Sequence, residues 1–501
     1  MSEGPLPISP APAADARWAR LLAAGRPRGG LRHLAGDADG LLELASLLTD
    51  PLSGPRLLDL WGHSAPGANT LLALAAWGPD LLLYSLDLGG GARYPSLGHL
   101  LPAAHWLERE IALSSLSPEP MPAPVPLEVA GGTPVEPLLD ARGIGVFTIP
   151  FGPIRSGVVE SILYDVATAG EDMLRVAVRG GFKHRGLERR LTEVPIDQIS
   201  LVGERVAGVF SVSGALAICQ AVEAAASVEV SAEAAGVRGV LAELERLYNH
   251  CDSILKLTED ASLAVAMAQM GILKERVLRL LAEISGHRYG RGVVTLGGVT
   301  AGVSPKHLRD VLRRWRADAR QVRHLLLATN SFLDRLQRTG RISREDVAAL
   351  GGSGPLARAS QLPWDARHER PQGIYRKLLV KPAVMSDCDA MARFEVRLEE
   401  MRESVDLIER ITEEVDLAAP GPVVPVRLEA GAVGFSSAEA AEGEWTVVVE
   451  AAAGNRLASC RIRPASLLNF ACFPRACEGW VLTDFAFIEH SFGLSVAGRD
   501  R

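Results

Sequence analysis

The chain has six cysteines in 501 residues, at positions 219, 251, 388, 460, 472 and 477, and no two of them form a CxxC pair. A protein of this length in a reducing compartment folds without disulfides, so the six read as buried thiols. Long apolar runs are missing as well. Windows such as LLLYSLDL and SLAVAMAQMGIL are too short or too interrupted for the ~20 mostly apolar residues that cross a bilayer, and any membrane attachment is expected through partner subunits. No basic run stands out: 53 Lys and Arg face 60 Asp and Glu along the chain, for a net charge of −7, which argues against a nucleic-acid partner. The opening MSEGPLPISPAPAADARW has neither a basic n-region nor an apolar h-region, so the expected compartment is the cytoplasm. What the chain does have is 48% hydrophobic residues, enough for two or more domains, each with its own core.

Residues 1–117 mix short apolar runs (LLDLW, LLLYSL) with Gly- and Pro-rich turns, the pattern of a small α/β domain. Residues 118–142 are rich in Pro and poor in periodic pattern, as expected of an extended linker. In the second domain, 143–501, GVFTIPFG reads as a strand. SILYDVAT and MLRVAVRG flank Ala169 to Asp172 like the arms of a hairpin, so a β platform is expected there. Val237, Val240, Leu244, Leu247, Cys251 and Ile254 then recur at steps of three or four, which places them on one helical face. Helices over 311–336 and 390–415 extend the bundle, and a short β section (TVVVEA, ASCRIR) precedes an apolar C-terminal segment. The fold class expected is α+β.

Several motifs lie in order along this frame. YPSLGHLLPAAHWLEREI (94–111) carries a Pro-Ala-Ala-x-Trp-x-Glu-Arg-Glu core. PFGPIRSGVVES (150–161), FKHRGLERR (182–190) and GERVAGVFSVSGALAICQAVE (203–223) follow. ELERLYNHC, GHRYGRGVVTLGGV and DAMARFEVRLEEMRES come after them. Together they resemble two families: the large subunit of membrane-bound, energy-converting nickel–iron hydrogenases of the formate-hydrogenlyase type, and the quinone-module subunits of respiratory complex I. The first motif is similar to the small quinone-module subunit, although Ala112-Leu113-Ser114-Ser115 replaces its Asp-Met-Phe-Gly stretch. The resemblance implies a small N-terminal α/β module fused to a mainly helical, hydrogenase-large-subunit-like domain with a β platform.

In that family four thiolates hold nickel and iron, because soft sulfur donors suit these metals. Two come from an Arg-Val-Cys-Gly-Ile-Cys helix, and Ala207 and Phe210 stand there in this chain. The other two come from a C-terminal Asp-Pro-Cys-x-x-Cys, where Ser495 and Gly498 stand. The pocket arginine of Glu-Ala-Pro-Arg-Gly-Glu becomes Glu442. Metal bound by this chain is therefore not expected. Complex I uses the vacated cavity for quinone, but its His and Tyr positions are Arg155 and Gly208 here.

The resemblance implies roles for the residues that remain. His184 and Arg185 match the His-Arg that lies against the terminal iron–sulfur cluster of a partner subunit. The alternative for them is a turn braced on Glu188. Glu160 matches a proton-relaying carboxylate at the pocket edge, or else forms a structural ion pair with Arg155 or Arg205. Arg155 is the candidate cation of an acceptor cavity, whose wall would also carry Arg205 and Glu442, while His250 and His287 read as structural. The expected role is a non-nickel large subunit, next to an iron–sulfur small subunit and through it to antiporter-like membrane subunits, passing electrons to quinone or another acceptor. The alternative is an inactive coupling subunit that keeps the docking surfaces.

Overall fold

The computed structural model describes residues 12–65, 68–112, 116–119, 143, 145–155 and 160–501. All of the expected linker except Pro118 and Glu119 lies outside the described residues, as do Leu113 to Ser115 and positions 156–159 of the opening motif. The chain divides into two compact units, Met1–Val125 with Ala348–Gly351, and Pro126–Val347 with Gly352–Arg501. The architecture is α+β.

The first unit is built on a sheet of β1 (Arg26–Arg28), β2 (Leu31–Gly36), β3 (Arg56–Ala65), β4 (Ala68–Trp77) and β5 (Asp80–Gly89), in the order β1-β2-β5-β4-β3. Within this sheet β2 and β5 run parallel and the other neighbours antiparallel. β4 and β5 pair Trp77 with Asp80 across Gly78, whose φ of +54° suits a residue without a Cβ. Helices α1 (Pro12–Ala24), α2 (Ala38–Leu47) and α3 (Pro102–Ile111) complete the unit, and α3 starts with proline at its first position. The motif glutamate on α3, Glu108, is buried. It accepts from Ser96 Oγ at 2.7 Å, Leu97 N at 2.6 Å and Gly98 N at 3.2 Å. Its role is to fasten the loop that precedes the helix.

The second unit opens on the expected platform, an antiparallel sheet of β6 (Val146–Phe151), β7 (Leu163–Ala169) and β8 (Asp172–Arg179), in which Ala169 pairs with Asp172 across the hairpin turn. The long helices are α4 (Ser211–Ala225), α5 (Ala232–Asp260), α6 (Ala264–Ser285), α7 (Pro305–Leu327) and α8 (Ala390–Glu414). The helix expected over 311–336 is two helices, because α7 ends at Leu327 and another runs Asn330–Leu336. A second antiparallel sheet, β9 (Val433–Ala440), β10 (Gly443–Ala452) and β11 (Arg456–Arg463), leads to α9 (Ala465–Cys477), α10 (Phe485–Phe492) and α11 (Val496–Asp500).

The central helix α5 departs most from the expectation. Its apolar stripe is buried, but so is every residue from Ala234 to Cys251, on all sides of the helix. Polar residues of α5 must therefore find partners inside the protein. Arg238 forms a two-pronged pair with Glu223 at 2.8 and 2.6 Å. Glu243 receives Arg367, Arg246, Tyr375 and Ser404. Burial pushes the Glu243 carboxyl up, but the two guanidinium groups and the hydroxyl bonds outweigh it and bring it down to about 2. His250 bonds Glu400 at 2.7 Å, and burial lowers the imidazole to about 4. Arg358 completes the cluster between Glu400 and Glu439.

Candidate functional site

The site is built where the start of α4 meets the start of α11. Phe210 occupies the N-cap of α4 and offers no side-chain acceptor to the helix. The free amides are instead met from α5. Glu245 accepts from Val212 N at 2.7 Å and Ser213 N at 2.9 Å, and also from the Ser213 hydroxyl. One helical turn on, Tyr248 Oη and Asn249 Nδ2 donate to Val209 O at 2.6 and 2.8 Å. Positions 245, 248 and 249 share a helical face, so the single motif ELERLYN clamps residues 209–213. Burial raises the Glu245 carboxyl to about 7 despite its donors. Sequence reasoning assigned none of these three residues a role. Their three- and four-residue spacing along the helix was the available signal.

At the other segment, Ser495 is the N-cap of α11 and accepts from Gly498 N at 3.0 Å, while Glu160 accepts from Val496 N at 2.6 Å. The positions that would carry thiolates come together. A Cβ placed on Gly498 would lie 3.3 Å from Ser495 Oγ and 3.6 Å from the Ala207 methyl. The Phe210 ring lies 6.2 Å, centroid to centroid, from Trp445. Trp445 Nε1 donates to Glu442 Oε1 at 2.7 Å, and the Ser466 hydroxyl donates to Glu442 Oε2. Ser466 Oγ in turn accepts from Ser495 N at 2.8 Å. Glu442 thus joins the Phe210 side to the Ser495 side. Burial pushes its carboxyl up to about 7, the bonds from Ser466 and Trp445 hold it back, and the charge of Glu160 adds to the rise.

Arg185 ties the same two segments together through the backbone. Its guanidinium donates to Arg205 O at 2.6 Å, Val206 O at 2.7 Å, Ala497 O at 3.0 Å and Lys183 O at 3.1 Å. His184 Nδ1 lies 2.9 Å from Asp500 O. The alternative reading for this pair, a turn braced on Glu188, finds no support in these bonds. Glu188 instead takes Arg501 Nε at 3.1 Å and Ile462 N at 2.8 Å.

Three further placements correct the sequence reading. Arg155 does not face an open cavity: it pairs two-pronged with Glu489 at 2.7 and 2.8 Å, and its guanidinium carbon lies 4.8 Å from the centre of the Phe151 ring and 5.1 Å from that of Tyr164. Tyr164 also donates to Glu489 at 2.8 Å. Arg205 is not a wall of the pocket, because its exposed side chain turns back to Leu201 O and Glu204. Glu160 pairs with neither of them. It caps α11, and the cation whose charge it feels is Arg185. Glu442 is buried against Trp445 and Ser466.

The residues present do not fit a nickel–iron centre. Alanine, phenylalanine, serine and glycine occupy the four positions, and among the described residues no group of three or more His, Cys, Asp or Glu side chains is arranged to hold a metal. All six cysteines are buried and unpaired. Among the described residues no helix is long and apolar enough to cross a membrane.

The family model described as "Respiratory-chain NADH dehydrogenase, 49 Kd subunit" matches residues 262–433. The membrane-bound hydrogenase alpha subunit of Pyrococcus furiosus is 28% identical over 277 residues, covering 53% of this chain and 65% of that one. The NADH-quinone oxidoreductase D-type subunit of Geobacter sulfurreducens is 25% identical over 388 residues, 71% of this chain and 99% of that one. The NADH-quinone oxidoreductase C/D-type subunit of Bacteroides thetaiotaomicron is 24% identical over 363 residues, 71% and 68% of the two chains. With the collinear motifs, these matches show a chain similar to the hydrogenase alpha subunits and to the 49 kDa-type subunits of NADH dehydrogenase.

Proposed function

We propose that this chain is the hydrogenase-like large subunit of a membrane-associated oxidoreductase complex, working without nickel. The observation that carries the reading is the geometry of the site. Both ligand segments are held in place, by Glu245 on one side and by Glu160 and Ser495 on the other, while no thiolate remains at any of the four positions. A frame of this kind serves assembly and electron passage rather than hydrogen activation.

In this reading an iron–sulfur small subunit seats on the face that carries His184 and Arg185. Phe182 and Val209, next to them, are exposed apolar side chains, as is Leu201, and exposed apolar side chains beside basic ones suit a protein partner. Through that subunit the chain reaches antiporter-like membrane subunits at the inner face of the cell membrane. Electrons pass from the partner's cluster to a quinone or another acceptor. The test is co-expression with a cluster-binding small subunit. The expected result is a one-to-one complex that forms with the parent and is lost in Val209→Asp and Phe182→Asp. A chain that is monodisperse alone and captures no such subunit would refute the reading.

A further inference from the structure

We propose that Glu442 is a proton-exchanging group at the heart of the rebuilt site, taking up and releasing one proton at Oε2 against the Ser466 hydroxyl. The inference deepens the function proposed above by assigning that site a charge that changes.

The geometry carries it. Glu442 is 1% exposed, and its carboxyl is met by neutral donors, Trp445 Nε1, Ser466 Oγ and the Ser466 backbone N–H. An isolated carboxylate in such a place is costly, and a neutral carboxylic acid is not. The two oxygens differ. The indole N–H can only donate, so Oε1 must accept in either state. Serine both donates and accepts, so Ser466 Oγ can give its hydrogen to an ionised Oε2 or take one from a protonated Oε2. The titrating proton therefore sits on Oε2. When it leaves, one negative charge appears on the carboxylate and the proton passes to solvent.

The surroundings are otherwise matched in charge. Glu439 is paired with Arg358 at 2.8 Å, Glu444 with Arg370 at 2.6 Å and Arg499 with Asp500 at 2.6 Å, while Arg185 is spent on backbone carbonyls. Glu160, facing from the α11 cap, is the carboxylate that acts on Glu442 and favours its neutral form. Glu442 also touches both halves of the site, through Trp445 toward Phe210 and through Ser466 toward the N-cap Ser495. Its ionisation is thus felt at the two segments that would have shared a metal.

Infrared difference spectra of the full chain, titrated from about pH 5 to about pH 9, test this without any partner or electron acceptor. The parent should show carboxylic-acid carbonyl absorption that disappears with a midpoint near 7, carried by Glu442 together with Glu245 and Glu439, and Glu442→Gln should lose the Glu442 share of it. Glu160→Gln should move the midpoint down by relieving repulsion, and Ser466→Ala should move it up by removing a donor. These two variants keep the test open if Glu442→Gln does not fold. A parent spectrum identical to that of Glu442→Gln, or a band that neither Glu160→Gln nor Ser466→Ala displaces, would overturn the proposal. Failure of partner capture would instead remove the assembly reading and leave these spectra unaffected.

Discussion

Replacing Arg185 by Met should loosen the two ends of the site together. The guanidinium makes four bonds to carbonyl oxygens, two of them, Arg205 O and Val206 O, immediately ahead of Ala207, and one, Ala497 O, inside α11. Bonds from a charged donor contribute about 1.5–3 kcal/mol each when buried. Arg185 is largely exposed, so water replaces part of that, and about 1 kcal/mol per bond is the fitting scale. The three bonds that reach the two segments then total roughly 3 kcal/mol, with Arg185→Lys recovering only part, because an ammonium cannot reproduce the planar fork. Urea unfolding gives the total. Amide hydrogen exchange gives the location, and faster exchange should appear at residues 206–210 and 496–501 and not in α7. A variant within 0.5 kcal/mol of the parent, with unchanged exchange at both segments, would show that Arg185 does not hold them together.

Three further outcomes follow from the same geometry. Glu442 has a folded-state value near 7 against an ordinary 4.5, so the folded state keeps its proton where the unfolded chain has lost it. Stability from this group therefore falls as pH rises from about 4.5 to about 7 and is flat beyond. Glu442→Gln should accordingly be more stable than the parent by roughly 3 kcal/mol at pH 8, with the difference closing toward pH 4.5; an equal or negative difference at pH 8 would contradict this. Arg155→Met strands Glu489 beside Tyr164 and should cost about 3 kcal/mol by chemical denaturation, while adding Glu489→Gln should restore much of it. Elemental analysis of the purified, dialysed chain should find no stoichiometric nickel or iron, and one nickel per chain would defeat the reading of the site.

The sequence disclosed those features whose signal is local. The β7–β8 hairpin follows from alternating apolar residues on either side of Ala169 to Asp172, and the apolar stripe of α5 from its spacing. The surroundings of α5 did not follow, because periodicity finds an apolar face but cannot report that neighbours cover the opposite one as well. The break after Leu327 was missed since the apolar repeat continues across it. The four former ligand positions could be located by motif alignment, and so could Glu442. The partner of Arg155 could not, because Glu489 is 334 residues away in the chain and no local pattern links them. Arg205 illustrates the opposite difficulty: it sits inside the right motif, yet its side chain points outward.

The clamp that Glu245, Tyr248 and Asn249 place on residues 209–213 has a bearing on how such a chain tolerates change. A helix end fixed by its neighbours owes nothing to whatever its first residues once gripped. The backbone from Val209 to Ser213 is therefore fastened by side chains of α5, while Ala207 and Phe210 are ordinary core residues whose truncation would leave a cavity. Fastening and lining fall to different residues, so the chemistry of the lining can change only as far as core packing allows.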